Sequence, residues 1–270
     1  MPTSNDELVR AHYRHVAESH GASPRSGMED DYVREKELEW ISRCQDLLRL
    51  RHHQPLQILD LGCGNGYALA RLSDKPLPDR YWGVDFSEDL LEIAKSRNLS
   101  GCVLMQGDAR RLAFEAETFD FVYTERCLIN ILDPREQIQA VHEIARVLKS
   151  GGDYLMIECF SDGLANNNKA RADCGLPAIT EAPHNRYFEK EVLFAETRNI
   201  FKVIDSAEFA TAAPFASNFL SSYYFISRVL YPALLQGGEV VRNSEVAKFF
   251  SFLPPIGNYS PIQAFVLRKI

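Results

Sequence analysis

The chain has no excess of basic residues: 30 Lys and Arg stand against 37 Asp and Glu in 270 residues, a formal net charge of −7. A phosphate-backbone partner needs a basic face, and no Lys/Arg cluster supplies one, so nucleic acid is excluded as the expected partner. Disulfide and metal frameworks are lacking too. The six cysteines (Cys44, Cys63, Cys102, Cys127, Cys159 and Cys174) contain no Cys-x-x-Cys pair and follow no regular spacing. Three of them fall in expected core or turn segments, and all six read as reduced, small apolar residues. The pairs His12/His15 and His52/His53 have no nearby Cys or acids in a ligand pattern, so no metal is expected. Long apolar runs are absent as well. Phe219 to Leu235 is the richest stretch, but Ser221, Ser222, Ser227, Arg228 and Pro232 interrupt it, and the opening Met-Pro-Thr-Ser-Asn-Asp-Glu has no apolar signal region. The expectation is a soluble cytoplasmic protein, without a membrane partner, acting as monomer or homodimer. With 46% hydrophobic and 25% charged residues it has the composition of an ordinary globular chain.

What is present begins at Leu59-Asp60-Leu61-Gly62-Cys63-Gly64-Asn65-Gly66, entered from the apolar run Leu56 to Leu61. Such a stretch marks a strand handing over to a helix, with glycines that let the backbone turn sharply and approach a ligand closely. The spacing is Gly-x-Gly-x-Gly, whereas dinucleotide folds use Gly-x-Gly-x-x-Gly, and Asp60 precedes the first glycine by two residues. A carboxylate there repels a pyrophosphate and welcomes an ammonium or a sulfonium. A nicotinamide-dependent oxidoreductase is disfavoured on that ground.

The pattern repeats downstream. Tyr81-Trp82-Gly83-Val84-Asp85 reads as a second strand ending in an acid nineteen residues after Gly66, the place of a carboxylate that takes two ribose hydroxyls. Val103 to Met105 form a third strand running into Gln106-Gly107-Asp108-Ala109, where the carboxylate can accept from an amino group. Capping of helices or turns is the plainer role for these acids.

Residues 58 to 159 resemble the core of the class I S-adenosylmethionine-dependent methyltransferases. The resemblance rests on Asp60 to Gly66, Gly83-Val84-Asp85-Phe86-Ser87, Gly107-Asp108-Ala109, Phe119-Asp120-Phe121-Val122 and Arg146-Val147-Leu148-Lys149-Ser150-Gly151-Gly152 in that order. It implies S-adenosylmethionine as cofactor, with Asp60, Gly62, Gly64 and Gly66 facing its methionine part, Asp85 and Phe86 the ribose side, and Asp108 with Ala109 the adenine.

The expected fold is α/β: a doubly wound, mostly parallel seven-stranded sheet of the Rossmann-like methyltransferase type, with a reversed last strand and a helical lid. Strands are predicted near 56–61, 80–85, 102–106, 118–123, 153–159, 200–209 and 261–268, and helices near 5–19, 28–50, 66–73, 87–97, 134–149 and 189–197. Gly151-Gly152 is expected to stop the helix that ends at Lys149, and the first helix is expected to be mobile. Residues 1–270 are read as one domain: N-terminal helices over 1–55, a cofactor-binding core over 56–159, and substrate-lid segments over 160–199 and 210–258. The stretch after 159 reads as loose and polar around Asn166-Asn167-Asn168, and two more helices are expected before the last strand.

Ligands of open α/β sheets bind beyond the carboxyl ends of the strands, so the loops there hold the candidates. Glu125 and Arg126 can contact cofactor or substrate, or instead form an ion pair or cap a turn. Asn130 can orient a hydroxyl. Glu158 is a candidate base or a backbone-bonded acid, and His184 is the preferred general base because an unshifted imidazole titrates near neutrality. Asn185, Arg186 and Tyr187 beside it, Tyr13 from the first helix, and Asn218, Tyr223 and Tyr224 from the lid complete the candidate substrate contacts. Short strings here are similar to methyltransferases of bacterial surface sugars and small metabolites. The expected function is therefore S-adenosylmethionine-dependent O-methylation of a small polar acceptor, a sugar or related metabolite. N-methylation of a small molecule and a non-catalytic cofactor-binding subunit are the alternatives.

Overall fold

The computed structural model describes residues 4–52, 54–74, 79–204, 216–235, 240–250 and 253–270. Seven strands form one sheet: β1 Gln57–Leu61, β2 Arg80–Asp85, β3 Cys102–Gln106, β4 Phe119–Glu125, β5 Leu148–Cys159, β6 Phe201–Ile204 and β7 Ile262–Lys269. Their order is β3-β2-β1-β4-β5-β7-β6, with β1 to β5 parallel and β7 antiparallel to both neighbours. This is the expected doubly wound sheet with its reversed last strand. The strand order turns back between β1 and β4, which opens a crevice at their carboxyl ends.

The central strands are apolar on both faces because helices cover both. Ile58, Leu59, Leu61, Phe119, Phe121, Val122, Tyr154, Leu155 and Ile157 are all buried. Helices α1 Asn5–His20 and α2 Asp31–His52 precede the sheet; α3 Tyr67–Ser73, α4 Glu88–Ser96 and α5 Pro134–Val147 are its crossovers. Local chemistry fixes their starts. Ser87 caps α4 by accepting from the Leu90 N–H, and Asp133 with Pro134 opens α5 by accepting from the Arg135 N–H. Ala140, Val141, Ile144, Ala145 and Val147 then form the face of α5 that is buried.

Several boundaries depart from the sequence reading. Helix α5 stops at Val147 and β5 begins at Leu148, so Gly151 and Gly152 lie inside a strand. The pairing of β4 with β5 shifts register there, and a Cβ on Gly152 would meet the carbonyl oxygens of Lys149 at 2.9 Å and Asp120 at 3.1 Å. The glycines serve an irregular strand entry, as glycine in a strand often does. The segment expected to be loose is helix α6, Ser161–Asp173. Its poor helix formers have long-range partners: Asn167 donates to Tyr259 O, and Asn168 bonds Ile179 through both amide atoms. Buried Arg171 donates to Pro177 O and to Arg228 O. Tertiary bonds override propensity here.

Helix α7 is Lys190–Thr197, and between β6 and β7 the chain forms α8 Ser221–Phe225, a π-helical turn Ile226–Leu230, α9 Tyr231–Leu234 and α10 Glu245–Phe250. Residues 205–209, expected in the sixth strand, lie outside the described residues. Among the described residues no helix is long and apolar enough to cross a membrane.

Candidate functional site

A cavity of about 380 Å³ opens at the carboxyl ends of β1, β2 and β4, between α1 and the cap segment that carries Tyr224 and Arg228. Its first wall is the glycine turn. Gly62 N and Cys63 N both donate to Val84 O, at 2.7 and 3.1 Å, which folds the turn back onto β2. Gly62 sits at φ +87°, and a Cβ there would come within 2.5 Å of Cys127 Cβ. Gly64, at φ +53°, has only Leu90 at 3.9 Å near its Cβ position and lines the cavity. Gly66 packs against Ala94 of α4 and does not line it.

Asp85, at the end of β2, holds the turn in place. Its Oδ2 accepts from Gly64 N at 2.7 Å and its Oδ1 from Ser87 N at 2.8 Å. Burial raises its pKa above the usual carboxylate value, against the pull of those N–H groups. Asp85, Phe86, Asp108, Ala109 and Glu125 all line the cavity, as the sequence grouped them. Asp108 accepts from Arg110, which also pairs with Asp6 at 2.8 Å and Glu136 at 2.7 Å. Burial pushes the Asp108 carboxyl up, but the Arg110 bonds hold it below the ordinary range.

Asp60 lies one layer deeper. It is 2% exposed, sits beside Tyr123, and does not line the cavity. Burial drives its pKa well above the ordinary value, and its Oδ2 has no partner among the described residues. Around it stand the ion pairs Arg34–Glu125 at 3.2 Å and Arg126–Glu37. Glu125 and Arg126 thus each pair with α2 rather than with one another, the alternative the sequence offered. Burial likewise raises the Glu37 carboxyl, to about 7, against the pull of Arg126, so this layer favours neutral acids unless a cation lies close to it.

Helix α1 is docked over the cavity rather than loose. Tyr13 Oη donates to Asn130 Oδ1 at 2.7 Å, and Asn130 Nδ2 donates to Asn185 Oδ1 at 2.9 Å. The Arg10 guanidinium lies 3.8 Å over the Phe86 ring, and the His12 and His184 rings stack at 3.5 Å. Capping secures the helix start, since Ser4 and Glu7 exchange the bonds of a capping box.

The cavity is also lined by Tyr13, Asn130, His184, Asn185, Tyr187 and Tyr224, together with Arg126. Four further sequence candidates do not reach it. Glu158 is fully buried and accepts from the N–H groups of Cys127, Leu128 and Ile129 at 3.1, 3.0 and 3.3 Å, so it shapes the loop after β4 and meets no substrate. Arg186 is exposed, and its backbone bonds Ile129 and Gln137. Tyr223 donates to buried Asp30 at 2.7 Å, behind the wall. Asn218 does not line it either; it donates to Gly257 O at the cap surface. His184 lines the cavity, but burial and the neighbouring His12 pull its pKa down to about 4. It is a neutral, weak base at physiological pH.

The sequence reading missed Arg228, Arg34, Arg110 and His12 on the walls. The arginines carry no local signal because their partners are far along the chain: Arg228 pairs with Asp30 and Arg34 with Glu125. His12 lacked one for a similar reason, since its contact is with His184.

Residues 58–152 match the family described as methyltransferase domain. With the sheet order above, this segment is similar to a class I S-adenosylmethionine-dependent methyltransferase domain. Among curated proteins the chain is similar to the fatty-acid O-methyltransferase of Mycolicibacterium smegmatis, 29% identical over 56% of this chain and 52% of that protein. It is also similar to the demethylmenaquinone methyltransferase of Lactococcus lactis, 37% identical over 43% of this chain and 47% of the other. The chain thus spans about half the length of these relatives. A solved structure of Haemonchus contortus phosphoethanolamine N-methyltransferase 1, with phosphoethanolamine and S-adenosylhomocysteine, covers 98% of this chain and 49% of its own at 15% identity and a TM-score of 0.57. That likeness concerns the fold.

The cofactor of such a domain is S-adenosylmethionine, and the residues present fit it. Gly64 leaves open space where a side chain would stand, Asp85 has a carboxylate at the end of β2, and the buried layer below carries an acid with an orphaned oxygen. No pyrophosphate is needed to explain any of these features.

Proposed function

We propose that the chain transfers a methyl group from S-adenosylmethionine to an oxygen of a small-molecule acceptor. The observation that carries this reading is the pairing of the charged groups on the cavity lining. Its acids are already engaged: Asp6 and Asp108 by Arg110, Glu125 by Arg34, and Asp85 by the Gly64 and Ser87 N–H groups, whereas Arg126 and Arg228 take their counter-ions, Glu37 and Asp30, from residues that do not line the cavity. A cationic amine would find guanidinium groups and only engaged carboxylates, so oxygen is favoured over nitrogen.

In this reading the glycine turn, Asp85, Phe86, Asp108 and Ala109 would hold the cofactor, with Asp60 supporting the turn from the layer below. When bound, the cofactor supplies a methyl carbon on a sulfonium. The chain's own residues position the acceptor and exclude water. Helix α1 roofs the site, and the Tyr13–Asn130–Asn185 chain of hydrogen bonds ties that roof to both loops at the rim. Fixing the acceptor in line with the methyl carbon is the main demand of such a transfer.

The acceptor wall also contains Ile129, Ile131, Pro261 and Ile262. Such a wall suits an acceptor with an apolar body and an oxygen head better than a sugar ring. The fatty acid in the name of the Mycolicibacterium relative has that combination. A panel of alcohols, acids, sugars and amines incubated with methyl-labelled cofactor tests the reading. O-methyl products are expected. Transfer to amines alone, or cofactor binding with no transfer to any class, contradicts it; the second outcome is what a non-catalytic cofactor-binding subunit would give.

A further inference from the structure

We infer that the acceptor is a carboxylic acid with an apolar body, that Arg228 and Arg126 hold its head group, and that the product is a methyl ester. This rests on the methyl transfer proposed above and names the acceptor class for the same site.

Arg228 enters the cavity from the π-helical turn Ile226–Leu230, a helix irregularity of the kind frequent at functional sites. It is 5% exposed, and its guanidinium stands 4.2 Å from the centre of the Tyr224 ring. Its Nη2 donates to Asp30 Oδ2 at 2.7 Å, and Asp30 is fully buried behind the wall, where it also accepts from Tyr223. Arg171 donates to the Arg228 carbonyl and fixes the turn from the other side. Arg126 repeats the arrangement: it lines the cavity, its counter-ion Glu37 is fully buried behind it, and its Nη2 donates to Gly27 O at 3.3 Å.

Two guanidiniums on the cavity lining are thus each held by a fully buried carboxylate that does not itself line the cavity. A guanidinium fork matches a carboxylate in geometry and charge. The neighbouring Tyr187 and Tyr224 hydroxyls can donate to the same head group, and Ile129, Ile131 and Ile262 face an apolar body.

The chemistry of the nucleophile points the same way. An alcohol must lose its proton during transfer, and the stacked histidines of the lining, His12 and His184, are weak bases for it because burial lowers their pKa values. A carboxylic acid with an ordinary pKa near ~4 is already ionised at neutral pH and needs no base. One carboxylate oxygen forms the new C–O bond with the methyl carbon, the C–S electron pair stays on sulfur, and no proton moves. The sulfonium and carboxylate charges cancel, leaving a neutral ester and a neutral thioether.

The test uses the full chain, methyl-labelled S-adenosylmethionine, and a matched panel of octanoic, decanoic and dodecanoic acids, their primary alcohols and amines, and simple sugars. Label in an alkali-labile ester of the acids is the expected result. The double variant Arg228→Gln with Asp30→Asn removes charge and counter-ion together, so no buried charge is left unpaired. It should raise KM for the acid by about tenfold or more while S-adenosylhomocysteine affinity, measured by calorimetry, stays within about twofold. That unchanged affinity also certifies that the variant is folded. Transfer to alcohols, sugars or amines but not to acids overturns the inference and leaves methyl transfer standing. Acid methylation with an unchanged KM in the variant overturns the role of Arg228. No transfer to any acceptor by the native chain overturns both the inference and the function it rests on.

Discussion

At the scale of single residues, the glycine turn separates two roles that look alike in the sequence. Gly62 and Gly64 both have positive φ, yet only the Gly62 Cβ position is filled, by Cys127. Gly62→Ala should cost about 3 kcal/mol of stability through strain and overlap, read as a lowered urea midpoint. Gly64→Ala should cost about 1 kcal/mol and act mainly on cofactor affinity, since its methyl would enter the cavity. Equal urea midpoints for the two variants would contradict this division. His184 offers a second residue-scale test. Its folded pKa of about 4 lies below the unfolded value, so the neutral ring stabilises the fold above pH ~6.5, and that contribution is lost as pH falls towards 4. A ring-proton NMR titration should show no His184 transition between pH 6 and 8; a midpoint near 6.5 would show that the His12 stack is not formed. The motif residues Gly62, Gly64, Asp85 and Asp108 were legible because local turn chemistry dictates them. Asp60 was legible in kind but not in place, because a strand's alternation puts it beneath the wall that Leu61 and Gly62 line.

At the scale of elements, helix α1 and the loop after β4 decide the shape of the site. Arg110 ties α1 to the rim through Asp6, and it ties Asp108 and Glu136 to the same point. Arg110→Ala should therefore speed amide hydrogen exchange across 5–20 while leaving the central strands protected. Uniform exchange changes, or none, would contradict the docking of α1 through this residue. The loop after β4 depends on Glu158. Burial raises its pKa from an ordinary carboxylate value to about 7, against the three backbone N–H bonds it accepts. A raised carboxyl favours folding most below the unfolded pKa near ~4.5, and stability should fall as pH rises towards 7, with a limiting slope of about 1.4 kcal/mol per pH unit. Glu158→Gln should abolish that part of the slope in denaturation curves between pH 5 and 8; parallel curves for the two proteins would contradict the assignment. These elements were only half legible. The strands showed in their apolar runs, but α6 and the entry of β5 depend on long-range partners such as Asn167 with Tyr259 O and Gly152 against Asp120 O, which no local window contains.

At the scale of the whole molecule, the sheet order and reversed β7 were readable from alternating strands and helices, because right-handed crossovers and two-sided burial leave few topologies. The acceptor end was not readable. Its groups come from α1, the loop after β4, the 184–187 loop and the cap, and they meet only in three dimensions. At the cavity the lining acids are engaged by arginines or backbone N–H groups, while Arg126 and Arg228 take counter-ions from behind the lining. That pairing, with the glycine turn, is the basis for proposing an adenosyl cofactor and an oxygen acceptor in one cavity. The most direct measurement of the central claim is calorimetric titration of S-adenosylhomocysteine into the native chain and into Asp85→Ala. The account predicts one-to-one binding by the native chain and affinity weaker by about 10-fold to 100-fold in the variant, the loss expected for charge-assisted hydrogen bonds. Absence of binding by the native chain, or equal affinity in the two, would contradict it.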